Sequence, residues 1–449
     1  MATLSETLIP RKFVAILLDC AAVGKNVVIV GGGMAGLAAS IYLARGGRTV
    51  TIFEKRRYLG GRAITHLRHG FRINLGPHAF YRGGAGSAVL RELGIAVRGG
   101  VPDGNGIAMR GDERHKFPGN PWSLITTGLW NLKEKIEAAR LLMRVRRTRN
   151  VSAFAAMSER QWLDENVSSE RVRQVIEALF RLATYCHEAE KISAAAAVGQ
   201  LRRAMRGVIY IDEGWQKLVD ALHSSAVAAG VNFVTSSRIV ALDVDAGEVR
   251  YIEFGELEAD AQDTAEMRTP HPGREHPGTR LATDTVLLAV DPPTARELLG
   301  DVSFPPMRPV VASSLDIALS RLPKPENTFA LGIDRPLYFS VHSKWAQLTP
   351  KGGALIHVAK YGSGEESELE PLLDEMQPGW RDVIVHRRFL PSMVVSNALI
   401  APAPATRPAP ITPIRGLYLA GDWVGDIGLL SDASLASART AARAILAAV

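Results

Sequence analysis

An α/β fold, with a parallel sheet wound by helices, is predicted by three stretches of this sequence. The first is "VVIVGGGMAGLAASIYLARGG", residues 27–47, where an apolar run, a glycine cluster and a small-residue segment follow one another. The second is "TVTIFEK", residues 49–55, a short β-branched run ending in a carboxylate. The third is "GLYLAGDWVGDIGLLSDASLASARTAARAI", residues 416–445, again a short apolar run, glycines and a small-residue helix. Short, continuous apolar runs bounded by glycine read as strands of a parallel sheet covered on both faces.

Val27 to Val30 is the first such strand, and Leu37 to Ala44 reads as the helix after it. Gly31, Gly33 and Gly36 between them make G-x-G-x-x-G. The first glycine permits the tight turn, the second lets a pyrophosphate approach the backbone, and the third lets helix pack on strand. Free N–H groups and the helix dipole then face the phosphates. This spacing in this setting is the Rossmann fingerprint. Glu54 closes the next strand 23 residues after Gly31, near the ~20 expected of an acid that accepts the ribose hydroxyls. The other reading of Glu54 is a surface charge at a strand end. An adenine dinucleotide, NAD or FAD, is the expected ligand.

The next segment separates the two. "KRRYLGGRAIT" places Gly60, Gly61 and Arg62 shortly after the first βαβ unit. This resembles the L-G-G-R element of the FAD-dependent amine oxidase and carotenoid (phytoene) desaturase superfamily. "INLGPHAFY" is similar to the family segment that passes the flavin, with Gly76, Pro77 and His78 in place and Asn74 where an acid is common. "YIDEGWQKLVDALHSSAVAAGVNFVTSSRIVALD" resembles the family's middle segment, whose strand backbone meets the adenine and here points to Val234. "ATDTVLLAVDPPTARELL" resembles the strand returning to the cofactor domain, and residues 416–445 the C-terminal flavin motif. There Gly421 and Asp422 would meet the ribityl–pyrophosphate region. The last helix, read as Ser431 to Leu446 with Leu430 at its start, would aim its positive end at the flavin pyrimidine. The resemblance thus implies FAD as cofactor and a two-domain α/β flavoprotein fold, a Rossmann-type FAD-binding domain interleaved with an α+β substrate domain. It assigns cofactor binding to Gly31, Gly33, Met34, Ala35, Gly36, Glu54, Lys55, Gly60, Gly61, Arg62, Gly76, Pro77, His78, Val234, Gly421, Asp422 and Leu430. His78 is also the candidate catalytic side chain.

The family organisation places a tail at 1–24, the FAD-binding domain at 25–111, 206–305 and 400–449, and the substrate domain at 112–205 and 306–399. A polar Pro/Gly-rich stretch at about 257–281 reads as an exposed insertion. His271 and His276 in it suit a mobile loop better than a metal site, and no metal-ligand spacing occurs elsewhere. "APAPATRPAPITP" from 401 is a connector.

Composition bounds the rest. The charge is +7, with 47% apolar and 22% charged residues and two cysteines, so a disulfide framework is excluded and a reducing cytoplasm fits. No run reaches the ~18 apolar residues of a membrane span. The basic residues match no nucleic-acid module. Residues 122–149, "WSLITTGLWNLKEKIEAARLLMRVRRTR", carry Leu129, Leu132, Ile136, Leu142 and Val145 at near-helical spacing among seven Lys/Arg that start at Lys133. That is either a core-facing helix with a solvated face or a peripheral contact to an anionic membrane.

The resemblance implies an FAD-dependent oxidoreductase taking hydride from an apolar, isoprenoid-type or lipid substrate in a desaturase-like reaction. One alternative is an amine oxidase-type enzyme for a small polar substrate, but Tyr338, Phe339, Lys344 and Trp345 do not match an amine cage. Another is a non-catalytic binder of prenylated proteins, of the GDP-dissociation-inhibitor type. Tyr185, Cys186 and His187 stand between pocket lining and plain core.

Overall fold

The computed structural model describes residues 26–256, 278–300, 304–403 and 407–448. The expected tail and most of the polar insertion, with His271 and His276, lie outside the described residues. In chain order the elements used below are β1 (Asn26–Val30), α1 (Met34–Arg45), β2 (Thr49–Phe53), β3 (Ile107–Arg110), β4 (Glu113–Lys116), α2 (Pro121–Thr126) and α3 (Leu132–Arg147). They continue with β5 (Asn232–Val234), β6 (Val286–Leu288), β7 (Val310–Leu319), β8 (Phe329–Gly332), β9 (Leu337–Val341), β10 (Ala354–Tyr361), β11 (Ile384–Ser396), β12 (Leu417–Leu419) and α4 (Leu430–Ala447).

The short apolar runs form one parallel sheet in the order β5-β2-β1-β6-β12. Ile29, Ile52 and Leu287 face α1 and α4, through Ile41, Leu435 and Ala438. Val28, Phe53 and Leu288 face the other way, onto Phe254 and Trp423. Burial on both faces is why these strands read as continuous apolar runs rather than alternating ones. Helix α1 begins at Met34, three residues before the expected Leu37, because Gly33 is its N-cap and Gly36 falls within its first turn.

The second sheet runs β11-β7-β10-β9-β8-β3-β4. It is antiparallel except that β3 runs parallel to β8. Strand β3, expected within the cofactor segment 25–111, therefore belongs to this sheet. Its Ala108 and Met109 are buried on opposite faces of it. Strand β7 shows the period of two that fixes the sheet's faces. Leu315, Ile317 and Leu319 pack under Leu373 and Trp380. Ala318 packs against Phe71, Ile73 and Tyr210, so the face it shares with Ser314 and Asp316 lies against the segment expected to pass the cofactor.

Helix α3 is started by a capping box between Asn131 and Glu134. It buries Ala138, Leu141 and Val145. The apolar recurrence in 122–149 thus splits between two faces. Leu132 (74% exposed), Ile136 and Met143 point outward, and so do Trp122 (72% exposed) and Ile125 on α2. The Lys135 ammonium donates to the Ile125 carbonyl at 2.7 Å and ties the two helices together. Among the described residues no helix is long and apolar enough to cross a membrane.

Candidate cofactor and active site

The glycine loop divides its work as its spacing requires. Gly31 has φ +105°, and a Cβ there would lie 2.6 Å from the Ala289 carbonyl oxygen. A Cβ on Gly36 would stand 2.0 Å from the Gly31 carbonyl oxygen. A Cβ on Gly33 would meet nothing within 4 Å. The two outer glycines are thus filled by protein, and the middle one faces open space at the N-terminus of α1. That terminus has no side-chain cap and no acid in its first turn, so its N–H groups and dipole remain available to an anion. Met34 and Ala35, in that first turn, are buried.

Glu54 is buried at the end of β2. Its Oε2 accepts from the Gly32 N–H at 2.7 Å and its Oε1 from the Arg56 N–H at 3.0 Å. Each oxygen keeps a lone pair for a ribose hydroxyl. Val234 lies alongside, its carbonyl accepting from the Glu54 N–H. Lys55 is exposed. The Gly60 N–H donates to the Gly32 carbonyl at 2.9 Å. A Cβ on Gly61 would lie 3.7 Å from Gly33 Cα, so the second glycine pair borders the same open space.

Arg62 spans the site. Its guanidinium donates to the Val395 carbonyl at 3.0 Å and pairs with Asp422 Oδ1 at 2.8 Å. Asp422 also accepts from the Asn397 backbone N–H and side-chain amide, both at 2.9 Å. Burial alone would raise the Asp422 pKa, but Arg62 and Asn397 hold it below the usual carboxylate range. The carboxylate expected to meet the cofactor directly is thus one that fixes Arg62. The Ser437 hydroxyl accepts from the Gly421 N–H at 3.0 Å and clamps that turn to α4. Helix α4 starts at Leu430, itself at φ +55°, with no side-chain cap. Beside this start lies a crevice of about 10 Å³, room for about one water, between Thr184 and Ser396 and the aliphatic Ile192, Leu399, Leu429 and Leu430.

On the other side of the site, Gly76 has φ +77° and lies against Met393 and Ser314. The buried Pro77 offers its carbonyl to the Tyr185 hydroxyl at 2.8 Å. Tyr185 is therefore tied to this segment, while Cys186 is buried in a small cluster with Ile192 and Val310. The His78 ring sets Nδ1 3.1 Å from the Gly76 carbonyl and lies edge-on to Trp215. Its enclosure pulls the pKa down to about 4, against the pull of the Gly76 bond, so His78 is neutral at pH 7. Asn74 accepts from Thr65 Oγ1 and the Trp215 N–H, an uncharged junction between the two segments.

Tyr338 and Phe339 are buried in β9, and Lys344 donates to Thr328 and lies over Trp345. These four do not assemble a cage. Sequence reasoning missed Asn397, Asp432 and a polar row on the second sheet, Arg388, Asp316 and His357, whose residues lie far apart in the chain. Among the described residues no group of three or more His, Cys, Asp or Glu could hold a metal.

The open space at Gly33, the uncapped α1 and the lone pairs of Glu54 fit the diphosphate and ribose of an adenine dinucleotide. Comparison with known proteins names the same group. Residues 34–314, more than half of the chain, match the family model for flavin-containing amine oxidoreductases. A carotenoid 3,4-desaturase of Haloarcula japonica is 48% identical over 54 residues, 12% of this chain and 11% of that protein. A coproporphyrinogen III oxidase of Propionibacterium freudenreichii is 33% identical over 126 residues, 25% of this chain and 24% of that protein. These matches thus span a quarter or less of the relatives' length. The crystal structure of an oxidoreductase from Methanosarcina mazei superposes with a TM-score of 0.69 at 18% identity, over 92% of this chain and 99% of that one, which shows the shared two-domain fold. By its family model, its fold and the flavin-type dinucleotide site assembled here, the chain belongs to the flavin-containing amine oxidoreductases.

Proposed function

We propose that the protein is an FAD-dependent oxidoreductase that removes hydride from an apolar, isoprenoid-type substrate and leaves a double bond. The observation that carries the substrate class is the stretch of 54 residues that is 48% identical to a carotenoid 3,4-desaturase. The absent cage among Tyr338, Phe339, Lys344 and Trp345 argues the same way. The open Gly33 and uncapped α1 argue against a binder that has lost its cofactor site.

When bound, the flavin supplies the hydride acceptor. The chain's own parts have separate tasks. The α1 N-terminus binds the diphosphate, and Glu54 orients the ribose. Asp422 and Asn397 fix Arg62, while Leu429 and Leu430 exclude water beside α4. The visible spectrum of the purified protein tests the reading. Flavin bands, with FAD released into the supernatant by acid, are the expected result. A protein that stays colourless after incubation with FAD overturns it.

A substrate of this class resides in membranes, and α2 with α3 form the matching surface. Five of the fourteen exposed large apolar residues among those described fall between 122 and 143, beside Lys133, Arg140, Arg144 and Arg147. Apolar side chains entering the interface and cations over anionic headgroups add, at about 1 kcal/mol per cation. The double variant Trp122→Asp, Leu132→Glu is expected to bind phosphatidylglycerol vesicles at least tenfold more weakly in co-sedimentation. Each lost apolar side chain is worth ~1.5–3 kcal/mol. Equal sedimentation of variant and parent would remove the membrane from the reading.

A further inference from the structure

The described end of the Pro/Ala connector is a strap laid along the cofactor domain. In "RPAP", residues 407–410, the two prolines lock φ and carry no N–H, so they offer only carbonyls. The Pro408 carbonyl accepts from the Gly425 N–H at 2.8 Å, and the Pro410 carbonyl from the Leu419 N–H at 2.9 Å. Ile411 bridges Tyr418 in antiparallel sense. The Thr412 hydroxyl donates to the Leu417 carbonyl at 2.9 Å. Strand β12 ends the parallel sheet, and the strap covers its otherwise open edge.

Arg407 stands at the head of this strap, half-buried. Its Nη1 donates to the Asp422 carbonyl and its Nη2 to the Gly428 carbonyl, both at 2.9 Å. These carbonyls are the two ends of the loop that leads from β12 to α4. The loop passes through left-handed backbone at Gly425, φ +74°, and Gly428, φ +73°. A Cβ on Gly425 would lie 3.6 Å from the Pro410 ring, so the strap also packs against the middle of the loop. Burial lowers the Arg407 pKa to about 10, against the pull of Asp422 and Asp426, and the guanidinium is charged at neutral pH.

We propose that Arg407 is a positioning residue of the flavin site, whose two-carbonyl bridge sets Asp422 and the N-terminus of α4 relative to one another. The inference rests on the FAD reading above. At one end of the bridge, the Asp422 carboxylate pairs with Arg62 at 2.8 Å. At the other, Gly428 leads through Leu429, the N-cap, into α4. A trans peptide points its C=O and N–H opposite ways. With both carbonyls turned onto Arg407, the N–H groups of Trp423 and Leu429 point to the far side of the loop, as donors to a bound group. The same bridge aims α4, whose positive end favours negative charge on a reduced flavin. Arg407 acts through the loop backbone and needs no contact with cofactor or substrate.

The bridge calls for arginine in particular. Two nitrogens on one rigid plane serve two acceptors at once. Lysine brings the same charge on a single nitrogen at the end of a flexible stem. Glutamine brings no charge and a single amide nitrogen.

Arg407→Gln and Arg407→Lys therefore test the proposal together. FAD affinity is read by titrating the cofactor-free proteins with FAD and following flavin fluorescence. The midpoint potential of the bound flavin is read by photochemical reduction against a reference dye. Both variants are expected to bind FAD at least tenfold more weakly than the wild type. Both are also expected to hold reduced flavin about tenfold less well relative to oxidised flavin, which lowers the potential by about 30 mV. A purely structural role would lower the melting temperature of the cofactor-free protein and leave the potential of the bound flavin where it was. A wild-type potential in Arg407→Lys thus overturns the proposal, whether or not Arg407→Gln folds, because charge without the fork would then suffice. Failure of the FAD reading shows separately, as a wild-type protein that binds no FAD.

Discussion

Gly33→Val is expected to give a folded protein that has lost FAD, and Gly36→Val a protein that folds poorly with or without it. The two glycines are three residues apart and differ only in what surrounds them. At Gly33, φ is −75° and a Cβ meets nothing within 4 Å, so valine brings no clash and no backbone strain. The apo protein should lose no more than about 1 kcal/mol, the scale of a poorer N-cap. The valine methyls do occupy the space in front of the α1 N-terminus. Losing two hydrogen bonds to a charged phosphate costs roughly 3–6 kcal/mol, which is on the order of 100-fold or more in FAD affinity. At Gly36 a Cβ would sit 2.0 Å from the Gly31 carbonyl oxygen. There α1 must move off the strand, at about 3 kcal/mol or more. FAD per chain after gel filtration, and urea unfolding of the apo proteins, separate the two effects. A Gly33→Val protein that retains full FAD would show that the diphosphate lies elsewhere.

That contrast also marks what the sequence could reveal. Gly31, Gly33 and Gly36 are legible because each turn or close approach needs glycine at a fixed spacing, and local spacing survives in the linear string. Glu54 is legible for the same reason, two strand ends one helix apart. The Arg62–Asp422 pair is not, because its partners are 360 residues apart and only the closure of the parallel sheet brings them together. Asn397, which completes that pair, sits in a stretch with no motif at all. In β7 the run "SSLDIAL" (313–319) alternates as a half-solvated strand does, so Asp316 reads as a surface charge. The other domain covers that face instead, and the carboxylate becomes the centre of a buried row. Residues 122–149 show the converse limit. Periodicity located the helix, but the outward turn of Leu132 and Ile136 depends on packing of α3 by Ala138, Leu141 and Val145.

Asp432, in the first turn of α4, offers the second large effect, and its sign follows from its surroundings. It is 1% exposed. Its Oδ1 accepts from the Gly86 N–H at 2.8 Å, and its Oδ2 has no partner. Burial pushes its pKa up to about 6, against the opposing pull of the Gly86 N–H and Arg203. The folded pKa thus exceeds the unfolded one of ~3.9. The folded state binds this proton more tightly, so the contribution to stability is full below about pH 4. It is lost as pH rises through 6. Two pKa units correspond to about 3 kcal/mol. Asp432→Asn keeps an acceptor for Gly86 and removes the charge. It is expected to match the wild type near pH 4 and to become more stable by about 2–3 kcal/mol above pH 6.5. Urea unfolding of both proteins across that range reads the difference directly. His78 titrates in the same interval with opposite sign, since its folded pKa is lowered from the ordinary value to about 4, but it is common to both proteins and cancels. A stability difference that does not change with pH would mean that Asp432 is ionised throughout, held by Arg203 and Gly86 despite its burial.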